Sequence, residues 1–323
     1  MSPADLVFDL IRSLEKAAVL YAGLELGIFD MVARQDGDWQ ASARRRGYDI
    51  EACETLLNAL LASGFVHKRQ GHYELADITR GVLENPFLVN NLQLAKVYTV
   101  MFRYPERVRG EYLHVLGADE LKVITALGQY SASRLIDRLT ALVPGLRSEP
   151  LSLLDLGCGQ GYHLAALALG NPKLRCLGLD AQEEILQLAR QNLARHHLEK
   201  VGLKKGDMRT IDLGNNLDII TCFTALRGMG KAEMIRLVRR VFASLKAGGR
   251  FVVHDFFLEN DRTAPIDNVF FDMKLTLSAK GGRVLQRRDF EELKEVGFDT
   301  FTAAPVEGED IAVKGSAFFI YRK

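Results

Sequence analysis

The stretch LLDLGCGQGYHLAALALG, residues 153–170, decides which fold the sequence predicts. It begins as a run of apolar residues, is interrupted by glycines at 157, 159 and 161, and resumes with the apolar spacing of a helix. A strand, a glycine-rich turn and a helix in this order are typical of α/β folds that hold a ligand at the turn. Because glycine has no Cβ, we expect the ligand to lie against the backbone at Gly157, Gly159 and Gly161.

The chain that follows Leu151 alternates short β-rich runs with helical patterns. The runs are LSLLDL, LRCLGLD, VGLKKGD, LDIITCF, RFVVHDFF, FDTFTAA and SAFFIYR. Such alternation predicts an α/β, doubly wound, Rossmann-like sheet that is mostly parallel, with ligands at the carboxyl ends of its strands.

The N-terminal half has a different pattern, because its apolar residues recur at helical spacing. After the helical stretch 49–63, FVHKRQGHYEL alternates around Gly71 as a two-stranded wing would, which predicts a mainly α winged-helix domain. The helix that would read DNA carries Asp49, Glu51 and Glu54 and no Lys or Arg, so a scaffold or dimerisation role is favoured over DNA binding. We predict a winged-helix-like dimerisation domain over 1–110, linking helices over 111–145 and a ligand-binding domain over 146–323.

The composition excludes several classes of protein. The 323 residues include 42 Lys and Arg against 41 Asp and Glu, and this net charge of +1 favours neither nucleic acid nor an anionic membrane. The four cysteines lie far apart, which predicts reduced thiols and no metal site. Charged residues such as Asp5, Asp9 and Arg12 interrupt the apolar N-terminus, so neither a signal peptide nor a membrane span is expected. We expect a cytoplasmic protein.

The spacing of the glycines distinguishes between two classes of ligand. In the dinucleotide fingerprint the last glycine or alanine would fall at Tyr162, which is too bulky for close helix packing. The observed pattern, Asp155-x-Gly157-x-Gly159-x-Gly161, resembles motif I of the class I S-adenosylmethionine-dependent methyltransferases. The resemblance implies that the methionine part of S-adenosylmethionine lies on the glycines and that Asp155 lies near its ammonium group. The helix N-terminus would supply amide donors to the carboxylate.

Two later acidic residues support this ligand. Asp180 ends LRCLGLD about 20 residues beyond the loop, where a carboxylate can accept hydrogen bonds from both ribose hydroxyls. By resemblance, Asp207 and Met208 would hold the adenine, and Phe223, at the end of LDIITCF, would contact the cofactor.

The resemblance extends over almost the whole chain to the small-molecule O-methyltransferases of the acetylserotonin and caffeate type. It is carried by GIFD, LKAGGRFVVHDFF, DRTAP, GGR and GF. It implies an antiparallel last strand and a homodimer whose N-terminal halves interlock. It also places Phe270, Met273 and Leu277 at the acceptor pocket, although these residues fit a packed core equally well.

The chain departs from this family at the catalytic position. Members carry a histidine after the fourth strand that takes the proton of the substrate hydroxyl, and here its place is taken by Arg227. A guanidinium offers only donors and cannot act as a base. Arg227 could hold the anion of an easily ionised acceptor, or His254 could be the base with Asp255 orienting or replacing it. Alternatively, Arg227 is a surface loop residue, His254 is structural, or methyl transfer has been lost.

We therefore predict methyl transfer from S-adenosylmethionine to a hydrophobic, aromatic or polycyclic small molecule, with S-adenosylhomocysteine as product. O-transfer is favoured over N- or C-transfer only by the resemblance. One alternative is a non-methylating enzyme of the same fold that retains the cofactor and performs a decarboxylation, hydroxylation or pericyclic step. A second alternative is a DNA-binding regulator that senses a small ligand.

Overall fold

The fold is described from a computed structural model over residues 3–33, 38–69, 71–93, 99–110, 125–126, 128–278, 282–306 and 315–323. The chain forms two compact units, Met1–Thr99 and Val100–Lys323. The second unit includes the predicted linker 111–145, of which residues 111–124 and 127 lie outside the described part. The predicted domain limits at 110 and 145 remain predictions.

The first unit is mainly helical, with one small hairpin. Strands β1 (Val66–Arg69) and β2 (His72–Leu75) pair antiparallel on either side of Gly71, which is consistent with a winged helix. Asp49 caps the preceding helix, because its carboxylate accepts a 2.7 Å hydrogen bond from the backbone N–H of Ala52. The helices are Pro3–Glu25, Ile28–Ala33, Trp39–Arg45, Ile50–Ala62, Asp77–Leu83 and Pro86–Gln93.

The first helix of this unit is unusually exposed. Every residue from position 3 to position 18 is exposed. Its exposed large apolar side chains are Leu6, Val7, Phe8, Leu10, Ile11 and Leu14. The core of the unit lies elsewhere, where Leu57 and Leu60 of the fourth helix pack with Ile28, Phe29 and Val66.

The second unit is built on a seven-stranded sheet of order β5-β4-β3-β6-β7-β9-β8. Strands β5, β4, β3, β6 and β7 pair parallel in this order, and β9 is antiparallel to both β7 and β8. This topology confirms the predicted mostly parallel sheet with an antiparallel last strand. The strands are β3 (Ser152–Leu156), β4 (Arg175–Asp180), β5 (Gly202–Lys205), β6 (Leu217–Phe223), β7 (Leu245–Phe256), β8 (Thr300–Pro305) and β9 (Ser316–Arg322).

Helices cover both faces of this sheet. Successive side chains of a strand point to opposite faces, so Phe318 of β9 lies in one core cluster and Phe319 in the other. The α-helices are Tyr104–Val108, Gly128–Leu142, Tyr162–Gly170, Glu183–Arg195, Lys231–Ser244, Ile266–Ser278 and Arg287–Glu292. Short 3-10 helices span Thr99–Arg103, Leu226–Gly228 and Leu293–Val296.

The strand order determines where a ligand can bind. The chain leaves β3 toward β4 on one side and returns to β6 on the other, so the carboxyl ends of these strands border the crevice at which such sheets bind ligands. Within the described ranges, no helix is long and apolar enough to cross a membrane, and no cluster of acidic, histidine or cysteine side chains is suited to a metal ion.

Candidate active site

The glycine loop turns sharply over the end of β4. The three glycines 157, 159 and 161 have φ values of +71°, +54° and +75°, a left-handed conformation that costs other residues free energy. The backbone N–H groups of Gly157 and Cys158 both donate to the carbonyl of Leu179, at 2.8 and 2.9 Å. A Cβ at Gly157 would lie 2.7 Å from Cβ of Ala225, so the loop must remain without side chains here.

Asp180 ties the glycine loop to the end of β4. One carboxylate oxygen accepts a 3.0 Å hydrogen bond from the backbone N–H of Gly159, and the other accepts one of 3.0 Å from the backbone N–H of Gln182. Each oxygen keeps capacity for a further donor. The side chain is therefore fixed beside the loop and can still accept hydrogen bonds from two hydroxyls.

Asp155, at the end of β3, lies in the interior. Its side chain accepts a 2.7 Å hydrogen bond from the hydroxyl of Thr221, and the residue is only 1% exposed. Burial raises its pKa to about 7; the Thr221 hydrogen bond works against this shift and the nearby charge of Asp180 adds to it. The interior therefore disfavours the charged form of this carboxyl.

The two residues expected to hold adenine follow β5. The carboxylate of Asp207 accepts 2.9 Å hydrogen bonds from Nε of Arg209, which lower its pKa. Met208 reaches toward the glycine loop, since an added Cβ at Gly157 would lie 3.8 Å from its Cε. Arg240 donates to the Met208 carbonyl at 2.9 Å and so holds this segment against the helix Lys231–Ser244.

Arg227 is not a surface residue. Its side chain is 16% exposed, and Nη2 lies 3.2 Å from Oδ1 of Asp255. Its guanidinium carbon lies 4.8 Å from the ring centre of Phe271 and 5.6 Å from that of Phe256, within cation–π range. The interpretation of Arg227 as a solvated loop residue is therefore wrong.

His254 and Asp255 are neighbours on β7 with different partners. Nε2 of His254 lies 2.9 Å from Oγ of Ser316, whereas Asp255 pairs with Arg227. Asp255 therefore does not orient His254, because successive side chains of a strand point to opposite faces. Burial lowers the pKa of His254 to about 3, helped by His163 and Arg227. Burial raises the pKa of Asp255, and Arg227 opposes that rise.

His163 is a site residue whose place the sequence indicates only weakly. It is the second residue of the helix Tyr162–Gly170, and its ring stacks on Phe223 with centroids 4.2 Å apart and planes 1° apart. Burial lowers its pKa to about 4. Its position in the first helical turn after the glycines is the available signal. Phe223, expected to contact the cofactor, has one ring face covered by His163.

Several buried polar atoms of the candidate site lack a hydrogen-bond partner. Among the described residues, five buried side-chain nitrogen or oxygen atoms have no hydrogen-bond partner. Four of the five are Nε of Arg227, Oδ2 of Asp255, Nδ1 of His254 and Nε2 of His163. Because buried polar groups are nearly always paired, these four atoms are candidates for hydrogen bonds to ligand groups.

The predicted acceptor residues are placed unequally along the helix Ile266–Ser278. Phe270 is 48% exposed, Met273 is half-buried and Leu277 is fully buried. On this helix the phenylalanine that lies beside Arg227 is Phe271, which was not among the predicted acceptor residues. Neighbours on a helix point about 100° apart, so only one of the two phenylalanines can face Arg227.

Three comparisons describe what the chain resembles. Residues 148–297 match the family model described as a methyltransferase domain. A 3-hydroxy-5-methyl-1-naphthoate 3-O-methyltransferase of Streptomyces sahachiroi is 22% identical over 307 residues, covering 90% of this chain and 88% of that one. An O-methyltransferase family protein from Burkholderia thailandensis superposes with a TM-score of 0.80 at 16% identity, covering 100% and 98% of the two chains. Human N-acetylserotonin methyltransferase, solved in complex with S-adenosylmethionine, superposes with a TM-score of 0.70 at 19% identity and covers 100% and 98%.

The sheet and the glycine loop define an α/β enzyme that binds its ligand at the ends of parallel strands. Together with the family match and the end-to-end likeness to O-methyltransferases, they make the chain a methyltransferase that depends on S-adenosylmethionine. Its likeness to O-methyltransferases along almost the whole chain makes O-transfer the favoured reaction. The predicted fold class, enzyme class and cofactor are thereby confirmed.

Replacing Gly157 with alanine tests the geometry of the loop. We expect Gly157→Ala to lower the free energy of unfolding by about 1–3 kcal/mol, because a Cβ would meet Ala225 and the left-handed backbone is strained. Gly170→Ala is the control, since a Cβ there meets nothing within 4 Å. Urea unfolding measures both variants. Equal stabilities would contradict the geometry described for the loop.

Proposed function

We propose that this methyltransferase methylates an oxygen of a hydrophobic, aromatic small molecule whose hydroxyl ionises readily. The observation that carries the proposal is the Arg227–Asp255 pair, which keeps one donor, Nε, and one acceptor, Oδ2, without a partner among the described residues. Phe256 and Phe271 lie on the same guanidinium and supply apolar surface for an aromatic ring.

The cofactor half of the proposal rests on residues that fit S-adenosylmethionine. The bare glycine loop would accommodate the methionine part, Asp180 would bind the ribose hydroxyls and Asp155 would lie near the ammonium group. Asp207 and Met208 would hold the adenine. When bound, the sulfonium supplies an electrophilic methyl group, and S-adenosylhomocysteine is the product that leaves.

Asp255 is proposed as the proton acceptor. Its Oδ2 atom is buried and lacks a partner among the described residues, and burial raises the pKa of the carboxyl, which makes it a stronger base than an exposed aspartate. Oδ2 would accept the proton of the acceptor hydroxyl, and the bound sulfonium would supply the methyl group to that oxygen and leave as S-adenosylhomocysteine. Arg227 donates from Nε to the oxygen and stabilises its negative charge.

The competing assignments receive less support. Nε2 of His254 is hydrogen-bonded to Oγ of Ser316, and the pKa of about 3 makes this histidine a weak base at neutral pH. The relatives reported above are described as O-methyltransferases or methyltransferases, and none supports a non-methylating enzyme of this fold. Phe270 and Met273 remain proposed pocket residues, whereas Leu277 is fully buried.

We also propose that the chain is a homodimer joined through its first helix. Leu6, Val7, Leu10, Ile11 and Leu14 lie along one side of that helix and are each 45% or more exposed. A stripe of this kind on a helix is covered by a partner in most proteins that carry one, and a second copy would bring an identical apolar stripe.

Product analysis tests the reaction. Purified enzyme, S-adenosylmethionine and a panel of phenols, naphthols and aromatic carboxylic acids are incubated, and S-adenosylhomocysteine and methylated product are measured by mass spectrometry. We expect both products in equal amounts with at least one acidic phenol or naphthol. Conversion of an acceptor without S-adenosylhomocysteine would contradict methyl transfer.

Asp180→Ala tests the cofactor assignment. We expect S-adenosylhomocysteine to bind about 5- to 150-fold more weakly, because about 1–3 kcal/mol is lost when buried hydroxyls lack a partner. Glu199→Ala, at an exposed position, should leave affinity unchanged. Calorimetry measures affinity, and melting temperatures verify that both variants are folded. Unchanged affinity in Asp180→Ala would exclude it as the ribose ligand.

Asp255→Asn and Arg227→Met test the proton acceptor and the anion site. Loss of a positioned base lowers turnover by about 10²- to 10⁴-fold, whereas affinity for S-adenosylhomocysteine should change less than twofold. In the native enzyme turnover should rise with pH as Asp255 loses its proton, at a pH above the usual carboxyl range because burial raises that pKa. This acid limb should vanish in Asp255→Asn. Arg236→Met, at an exposed position of a helix, is the control. An unaltered pH profile of turnover in Asp255→Asn would point to another base.

Charge placed in the exposed apolar stripe tests the dimer. We expect Leu10→Glu combined with Leu14→Glu to halve the mass in solution, because carboxylates cannot be buried unpaired at an apolar interface. Arg12→Glu, on the opposite side of the helix, is the matched control. Light scattering coupled to gel filtration gives the mass. A native protein with the mass of one chain would refute the dimer.

A further inference from the structure

Two buried histidine nitrogens near the proposed acceptor site play no part in the proton transfer described above. Nε2 of His163 and Nδ1 of His254 are buried and have no hydrogen-bond partner among the described residues. Leaving a buried polar atom unpaired costs free energy, so such atoms normally have a protein, water or ligand partner. Both atoms are therefore candidates for hydrogen bonds to a ligand.

The ring of Phe223 lies close to both histidine rings. Phe223 stacks on His163 at 4.2 Å, and its centroid is 6.2 Å from that of His254. The other ring nitrogen of His254 lies 2.9 Å from Oγ of Ser316, which fixes the orientation of the ring. Nδ1 therefore has a set direction, and it donates or accepts according to the tautomer of the ring.

Both imidazoles are neutral at physiological pH. Burial lowers the pKa of His163 to about 4 and that of His254 to about 3. A neutral imidazole nitrogen either donates or accepts one hydrogen bond, and a hydroxyl group can satisfy both kinds because it is donor and acceptor at once. The pair is therefore suited to a neutral hydroxyl rather than to a carboxylate or an ammonium group.

Phe256 lies near both His254 and Arg227. The ring of Phe256 is 6.4 Å from the ring of His254 and 5.6 Å from the guanidinium carbon of Arg227. One phenylalanine thus separates an ionic position from a neutral one, and both lie at the carboxyl ends of β6 and β7. A flat aromatic molecule with two oxygen substituents has the chemistry to engage both positions.

We propose that His163 and His254 form a second polar subsite that binds a neutral hydroxyl of the acceptor. The substrate is accordingly an aromatic compound with at least two oxygen groups, one methylated beside Arg227 and the other held by the histidines. This inference rests on the proposed function, because it takes the Arg227 side as the place of methyl transfer. The histidines are specificity-determining residues for the acceptor.

Binding of naphthols tests the subsite without depending on turnover. Calorimetry measures the affinity of 2-naphthol and of the dihydroxynaphthalene isomers for the protein saturated with S-adenosylhomocysteine. We expect at least one dihydroxy isomer to bind about tenfold more tightly than 2-naphthol, as one added buried hydrogen-bonded hydroxyl would allow. In His163→Phe, which keeps a ring for stacking on Phe223, this gain should disappear while affinities for 2-naphthol and S-adenosylhomocysteine change less than twofold. His196→Phe, at an exposed histidine, should retain the gain.

Nitrogen-15 spectra of the histidine side chains give a second measurement. The preferred isomer should shift the ring nitrogens of His163 and His254, and 2-naphthol should not. Persistence of the gain in His163→Phe, absence of any preferred isomer, or the same nitrogen shifts with S-adenosylhomocysteine alone would each overturn the inference. Failure of the proposed function would give a different result. Either 2-naphthol would not bind, or its affinity would be the same in Arg227→Met as in the native enzyme.

Discussion

The hydrogen bonds that fasten the glycine loop to the end of β4 are the constraint on which the site depends. The carbonyl of Leu179 holds two consecutive amides of the loop, and the side chain of Asp180 holds a third. These bonds fix a left-handed backbone that could not accommodate Cβ atoms without strain. The same aspartate that shapes the loop is thereby fixed beside it, so the proposed ribose ligand is also the residue that holds the loop.

Much of this architecture could be predicted because it is local in the sequence. Alternating apolar runs and helical patterns predict the order of strands and helices, and the glycine spacing with Asp180 predicts where the cofactor is held. Each of these inferences needs only residues that are close in sequence.

The acceptor side could not be predicted in the same way, since it depends on contacts between distant segments. Arg227 meets Asp255 only because β6 and β7 pair with Phe223 opposite His254. Periodicity alone did not identify the phenylalanine, 270 or 271, that faces the guanidinium, because it does not give the rotation of a helix about its axis. The stacking of His163 on Phe223 depends on the same long-range register.

The buried Arg227–Asp255 pair also limits how this site can change through evolution. Removing one member of a buried ion pair leaves an uncompensated charge, at a cost of about 3–5 kcal/mol, which is a large part of the stability of a typical domain. Exchange of Arg227 for an uncharged residue would leave the carboxylate of Asp255 without its cation. A change at one of the two positions is therefore expected to cost least stability when the other position changes with it.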